Sequence, residues 1–316
     1  MQNKALVLID KFKGSLSQSE INDVVSKLLE ERAIKFQSFQ MADGGDGSLE
    51  ALATIGWKLK KISVTGPLDN EHEASYATTG DGKIVALELS DLCGIKYLVG
   101  KRAPYEAHTR AIGEALKEIS SLNWNELWLL LGGSASNDGG LGILQGLGIG
   151  VRDSKGRFVK SGLSGITQAA SIQSNAVEIF EKLIRGRKVK LISDVRSPLL
   201  GPSGAIATFG RQKGLGRAGR LRGESAMRKW SRLVVEATSH DCSNSDGAGA
   251  AGGVGFLALS FMKAEYQPGA QTFLDLVGAK KKIDSHSTVF TGEGRIDSSS
   301  LSGDRKSTRL NSSHRT

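Results

Sequence analysis

The sequence predicts an α/β fold with a parallel sheet, joined to a second domain of mixed sheet, and three observations predict it. At three places a short apolar run leads into a glycine-bearing loop, twice followed by a helical pattern. Between these units lie strand-like runs joined by Gly-Pro, Asp-Asn and Gly-Asp-Gly turns, as in hairpins. The length of 316 residues allows about two domains.

The first unit opens with Ala5-Leu-Val-Leu-Ile9, a continuous apolar run that suits a parallel strand buried on both faces. Asp10-Lys-Phe-Lys-Gly-Ser-Leu-Ser17 follows as the loop. Ser17 and Glu20 have capping-box spacing. Ile21, Val24, Val25, Leu28 and Leu29 then recur at helical intervals. The hairpin-like strands are Lys61 to Thr65, Ala74 to Thr79 and Ile84 to Leu89. The second unit is the strand Leu127 to Leu131, the loop Gly132 to Gly140 and a short helix from Leu141 to Leu147. A strand from Val189 to Ile192 leads to Ser193-Asp194-Val-Arg-Ser-Pro-Leu-Leu-Gly201. The third unit is Ser287 to Thr291 running into Gly292-Glu-Gly-Arg-Ile-Asp297. Sheets of this kind place ligands at the loops after the carboxyl ends of their strands.

The formal charge of +9 raises nucleic acid, an anionic membrane or a phosphorylated ligand as partners. Part of it sits in the last thirteen residues, where Arg305, Lys306, Arg309 and Arg315 face only Asp304. Residues 304–314 read as the translation of a sequencing-library adapter. Residues 304–316 are therefore expected to be a non-native tail, with the natural chain continuing past Gly303. The stretch Arg211 to Arg232 is strongly basic, which fits a solvated helix face or a rim that attracts phosphate. It is nearly devoid of aromatics, which argues against stacking on single-stranded nucleic acid. Cys93 and Cys242 show no metal spacing and read as free thiols in a reducing cytoplasm. No signal peptide or membrane span is read at the N-terminus.

No Walker A motif and no protein-kinase signature is present. GxGxxG occurs at Gly214 to Gly219 and at Gly247 to Gly252. Neither follows a convincing strand, so both are weak as dinucleotide fingerprints. The loop Gly132-Gly-Ser-Ala-Ser-Asn-Asp-Gly-Gly140 is more informative. Gly132 and Gly133 let backbone N–H groups approach an anion, the following helix points its positive end there, and Ser134, Ser136 and Asn137 add hydrogen bonds. Asp138 suits either a magnesium-bound phosphate or a helix N-cap. Asp43 and Asp46, three apart among glycines, can hold a cation or cap a helix. Lys13 can neutralise phosphate charge beside Asp10. Asp194 is placed to receive a hydroxyl proton or to bind metal. Glu293, Arg295 and Asp297 form a structural ion pair or steady a transferring phosphoryl group. Several such loops in one chain point to a phosphate and divalent-metal site in a cleft.

Seven motifs, in order from residue 1 to about 303, resemble those of the bacterial glycerate kinase family, of the glycerate 2-kinase type. They are Asp10-Lys-Phe-Lys-Gly-Ser-Leu16, Ala42-Asp-Gly-Gly-Asp-Gly47, Val64-Thr-Gly-Pro-Leu68, Gly132 to Gly140, Phe209-Gly-Arg-Gln-Lys-Gly214, Gly249-Ala-Ala-Gly-Gly-Val-Gly255 and Thr291 to Asp297. The resemblance implies phosphorylation of D-glycerate by ATP with Mg2+, the product being 2-phosphoglycerate. It implies two α/β domains with the site between them, one Rossmann-like and built from both chain ends. The expected division is 1–62 plus 270–303 for the Rossmann-like domain and 63–269 for the second, with 113–150 able to belong to the first.

On this reading Asp194, Lys13 and Arg295 are the expected catalytic residues. Asp10, Ser15, Gly132, Gly133, Ser134, Ser136, Asn137, Lys213 and Glu293 bind substrate or phosphate, and Asp43, Asp46, Asp138 and Asp297 bind the metal. The family often has Asn where Ser197 stands and Pro where Arg211 stands. It also continues past the Gly303 position, so residues 1–303 alone are expected to be poorly soluble or inactive. A well-behaved, active preparation would refute that. The expected partner is D-glycerate, with neither nucleic acid nor membrane, and the sequence leaves a homodimer open. A kinase for another small hydroxy acid and a non-catalytic polyanion binder are the alternatives.

Overall fold

A computed structural model of the chain describes residues 4–292, apart from 11–15, 17, 99 and 101. Eleven strands form three sheets among the described residues. They are β1 (Lys4–Ile9), β2 (Lys35–Gln40), β3 (Lys58–Thr65), β4 (Glu71–Thr78), β5 (Ile84–Glu88), β6 (Glu126–Leu130), β7 (Val151–Asp153), β8 (Ala169–Ile172), β9 (Lys188–Ile192), β10 (Glu265–Gln267) and β11 (Thr288–Gly292).

The first sheet has the order β11-β1-β2 and is parallel throughout. The second has the order β10-β9-β6-β5-β4-β3. Its β10, β9, β6 and β5 run parallel, while β4 and β3 are antiparallel additions, so it is the mixed sheet the sequence predicts. An antiparallel ribbon, β7 with β8, makes the third. The position 62/63, expected to divide the domains, lies inside β3, which belongs to the six-stranded sheet from Lys58 onward. Likewise β6, within 113–150, sits in the middle of that sheet.

The continuous apolar runs are explained by burial on both faces. In β1, Ala5, Val7 and Ile9 pack against Ile21 and Leu29 of the helix Gln18–Glu31, while Leu6 and Leu8 point the other way. In β6, Leu127 and Leu129 enter the largest core cluster, and Trp128 and Leu130 enter the cluster that also holds Leu6 and Leu8. This shared cluster, with Ile192 and Phe273, joins the parallel three-stranded sheet to the six-stranded one. At about 25 cal/mol per Å2 of apolar area removed from water, such shared burial is what fixes the two sheets together. The helix Gln18–Glu31 departs from expectation on one stripe. Val24 and Leu28 are 57% and 45% exposed, because only the side carrying Ile21 and Leu29 meets β1.

The register aligns the carboxyl ends of the parallel strands. Glu88, Leu130, Ile192 and Gln267 are paired in one row across β5, β6, β9 and β10. Asp10 and Gly292 end β1 and β11 side by side, with the Asp10 N–H donating to the Gly292 carbonyl at 3.0 Å. No helix among the described residues is long and apolar enough to cross a membrane.

Candidate active site

The loops that follow these strand ends meet backbone to backbone. The Gly132 N–H donates to the Gly44 carbonyl at 2.8 Å. A Cβ on Gly132 would overlap the Cα of Gly45, and one on Gly44, whose φ is +82°, would overlap the Ile192 carbonyl. A Cβ on Gly269 would likewise overlap the Asp43 carbonyl. The loops after β2, β6, β9 and β10 thus share one small region. Asp43 and Asp194 flank the same turn, since the Ala270 N–H donates to Asp194 Oδ1 at 3.2 Å. Asp43 Oδ1 accepts the Gly45 N–H at 2.8 Å, which shapes its own loop. Asp194 is half-buried, and its negative charge, after burial, helps push the Tyr266 phenol up to about 12.

The loop Gly132 to Gly140 has an open lip and a sealed base. Gly133 is exposed and Gly132 half-exposed, whereas Ser136, Asn137 and Asp138 are inaccessible to solvent. The Lys213 ammonium comes up beneath it, donating to Ser134 Oγ at 3.0 Å and to the Ser136 carbonyl at 2.5 Å. Burial pulls Lys213 down to about 8, against the charge of Asp138, which raises it. Burial likewise pushes the neighbouring Cys93 thiol up, so it is an inert structural thiol. The Ser136 hydroxyl and the side-chain amide oxygen of Asn137 have no hydrogen-bond partner among the described residues.

Asp138 has the geometry of a cap. Its Oδ2 accepts the Thr109 N–H at 2.9 Å, the Thr109 hydroxyl at 2.8 Å and the Gly142 N–H at 3.1 Å, and its Oδ1 accepts the Gly140 N–H at 3.1 Å. These donors belong to the starts of the helices Arg110–Ile119 and Leu141–Gly146. The anion at those helix ends is the protein's own carboxylate, and its four hydrogen bonds within the protein fit a cap. The glycines, too, serve loop-on-loop contact. A Cβ on Gly252 would overlap the Ser136 carbonyl, and the Gly252 carbonyl accepts the Gly139 N–H at 3.0 Å. The Gly247 to Gly252 motif thus backs the Gly132 to Gly140 loop.

Sequence reasoning missed Glu88. It ends β5, is 2% exposed, and accepts the Gly47 N–H at 3.2 Å and the Leu49 N–H at 2.8 Å, at the start of the helix Ser48–Thr54. Ser90 donates to it through a very short contact and lies 3.4 Å from Asp46 Oδ1. The signal was a carboxylate closing an otherwise apolar run. Burial pushes Glu88 up to about 7, the Ser90 and Leu49 hydrogen bonds oppose this, and the charges of Glu50 and Asp46 add to it. Because the folded state holds this proton more tightly than the unfolded chain, the stabilisation is full below about pH 4.5 and is lost as pH rises through about 7. At about 1.4 kcal/mol per pKa unit the whole change is ~3 kcal/mol. Glu88→Gln is expected to flatten the unfolding free energy over that window, and an unchanged slope would contradict the assignment.

Of the sequence-predicted residues, Asp43, Asp46, Gly132, Gly133 and Asp194 lie at the converging strand ends, with Ser134 and Lys213 just behind. Asp10 stands at the end of β1. Lys13, Ser15, Glu293, Arg295 and Asp297, like Ser17 and the 304–316 tail, lie outside the described residues. No group of three or more His, Cys, Asp or Glu forms a metal cage among the described residues.

The chain is 31% identical over 305 residues to the glycerate 2-kinase of Escherichia coli K12, covering 95% of this chain and 79% of that relative. It is 32% identical over 310 residues to the glycerate kinase of Bacillus subtilis 168, again covering 95% and 79%. The crystal structure described as glycerate kinase 2 of Salmonella typhimurium LT2 matches with a TM-score of 0.82 at 28% identity, over 98% of this chain and 85% of that one. The family model for glycerate kinases matches residues 5–309, so the resemblance read from the seven motifs extends to nearly the whole sequence, and the chain belongs to the glycerate kinase family.

Proposed function

We propose that the chain transfers the γ-phosphoryl group of ATP to D-glycerate and releases 2-phosphoglycerate. The observation that carries this reading is the meeting of Asp43, Gly132 and Asp194 at one row of strand ends. The family and the glycerate 2-kinase relative support the substrate and the product.

In-line phosphoryl transfer asks mainly for positioning and charge neutralisation. The exposed backbone of Gly133 receives phosphate oxygens, while the Gly132 N–H, bound to the Gly44 carbonyl, ties this lip to the neighbouring loop. Asp194, half-buried beside these loops, orients the glycerate hydroxyl and takes its proton. Lys13 and Arg295 are assigned to phosphate and to the substrate carboxylate or phosphoryl group. A magnesium ion held by one or two carboxylates keeps its remaining positions for phosphate and water, and the accessible pair Asp43 and Asp46 fits that donor set. When bound, the ion neutralises developing phosphate charge. Lys213 holds the Ser134 to Ser136 segment in place. Two unpaired thiols suit a cytoplasmic setting.

The test is ADP release by the complete gene product, with and without D-glycerate. Release that depends on glycerate, with 2-phosphoglycerate as product, is expected. Release indifferent to glycerate would refute the reading.

A further inference from the structure

The helix Arg217–Thr238 buries Met227, Trp230 and Val234 on one side. On another side Arg217, Arg220, Leu221, Glu224 and Arg228 follow one another at helical spacing, over about 16 Å. With Arg211 they line a groove of about 610 Å3, whose facing wall includes Ile206 of the helix Ala205–Phe209.

Four guanidinium groups face a single carboxylate here. That carboxylate is already engaged, since Glu224 Oε1 accepts the Gly201 N–H at 2.8 Å and lies 3.5 Å from Arg228. Arg211, Arg217 and Arg220 make no ion pair or hydrogen bond among the described residues. Arginine stays charged at any working pH, so the groove holds converging positive charge that Glu224 alone offsets in part. The start of the long helix, with no side chain capping it, adds to that field. Ile206 and Leu221, the latter 70% exposed, give the groove an apolar strip between the charges.

We infer that this groove is a second binding site, apart from the strand-end loops, for a small polyanion with two or more phosphate or carboxylate groups on a short apolar body. The groove's wall is tied to the catalytic loops. Gly201, held by Glu224, closes the segment that begins at Asp194, and Arg211 lies two residues from Lys213, which supports Ser134 and Ser136. Occupancy therefore bears on both segments. No aromatic side chain lines the groove, so nothing offers a base a stacking surface.

Calorimetric titration of the full chain with inorganic pyrophosphate, citrate and a single-stranded oligonucleotide tests this, alongside the double variant Arg217→Gln/Arg220→Gln. Pyrophosphate, citrate or both are expected to bind saturably below about 1 mM, and which one binds distinguishes phosphate from carboxylate ligands. The variant should melt as the parent does and lose about tenfold or more in that affinity. Glycerate-dependent ADP release without the probe should be unchanged. Absent saturable binding, or an affinity indifferent to the two substitutions, would overturn the inference. So would oligonucleotide binding with a steep salt slope that the variant abolishes, which would make this a nucleic-acid surface. The binding readout stands whether or not the chain phosphorylates glycerate.

Discussion

Asp194→Asn in the complete gene product is expected to lower kcat by about a hundred- to ten-thousandfold, the usual worth of a positioned general base. The KM for glycerate should stay within about threefold, because the loss falls on the transition state rather than on substrate binding. Asparagine is the informative replacement. Asp194 also accepts the Ala270 N–H at the start of the helix Gly269–Leu276, and an amide oxygen keeps that bond. Asp194→Ala would confound chemistry with loss of a helix cap. Unchanged turnover in the Asn variant would remove Asp194 from the reaction.

The second large effect is on folding. Asp138→Ala strands the N–H groups of Thr109, Gly140 and Gly142 in a place no water reaches. Each buried donor left unmade costs about 1–3 kcal/mol. Removing the carboxylate also takes a compensating charge from the buried Lys213. A total loss of about 3–5 kcal/mol in unfolding free energy is expected. The loss should be the same with and without magnesium. A variant that folds like the parent but forfeits a magnesium-dependent gain in stability would restore Asp138 to the metal.

These two aspartates show which parts of the site are legible in a sequence. Asp194 lies two residues past the end of a strand that is readable from its apolar run, so its place at a carboxyl edge follows from local pattern. The role of Asp138 depends on Thr109, twenty-nine residues upstream, whose helix start happens to converge on the same oxygen. No local spacing reports that. Glycine-rich loops were equally ambiguous, since Gly132 makes room for Gly45 just as it could for a ligand. The strands β1 and β6 were legible because both faces are buried. In contrast β2, Lys35-Phe-Gln-Ser-Phe-Gln40, has no apolar run, being an edge strand among the described residues, and went unread. Val24 and Leu28 share the helical spacing of Ile21 and Leu29 yet stay exposed, because spacing cannot tell which of two adjoining stripes meets the sheet.

The loops after β2, β6 and β9 are expected to surround one triphosphate, with Asp194 facing the acceptor. A crystal structure with a non-hydrolysable ATP analogue, magnesium and D-glycerate tests it most directly. The phosphates should lie on the exposed Gly133 backbone, with the ion between them and Asp43 or Asp46, and a glycerate hydroxyl against Asp194. Phosphates seated elsewhere, with these loops empty, would contradict it.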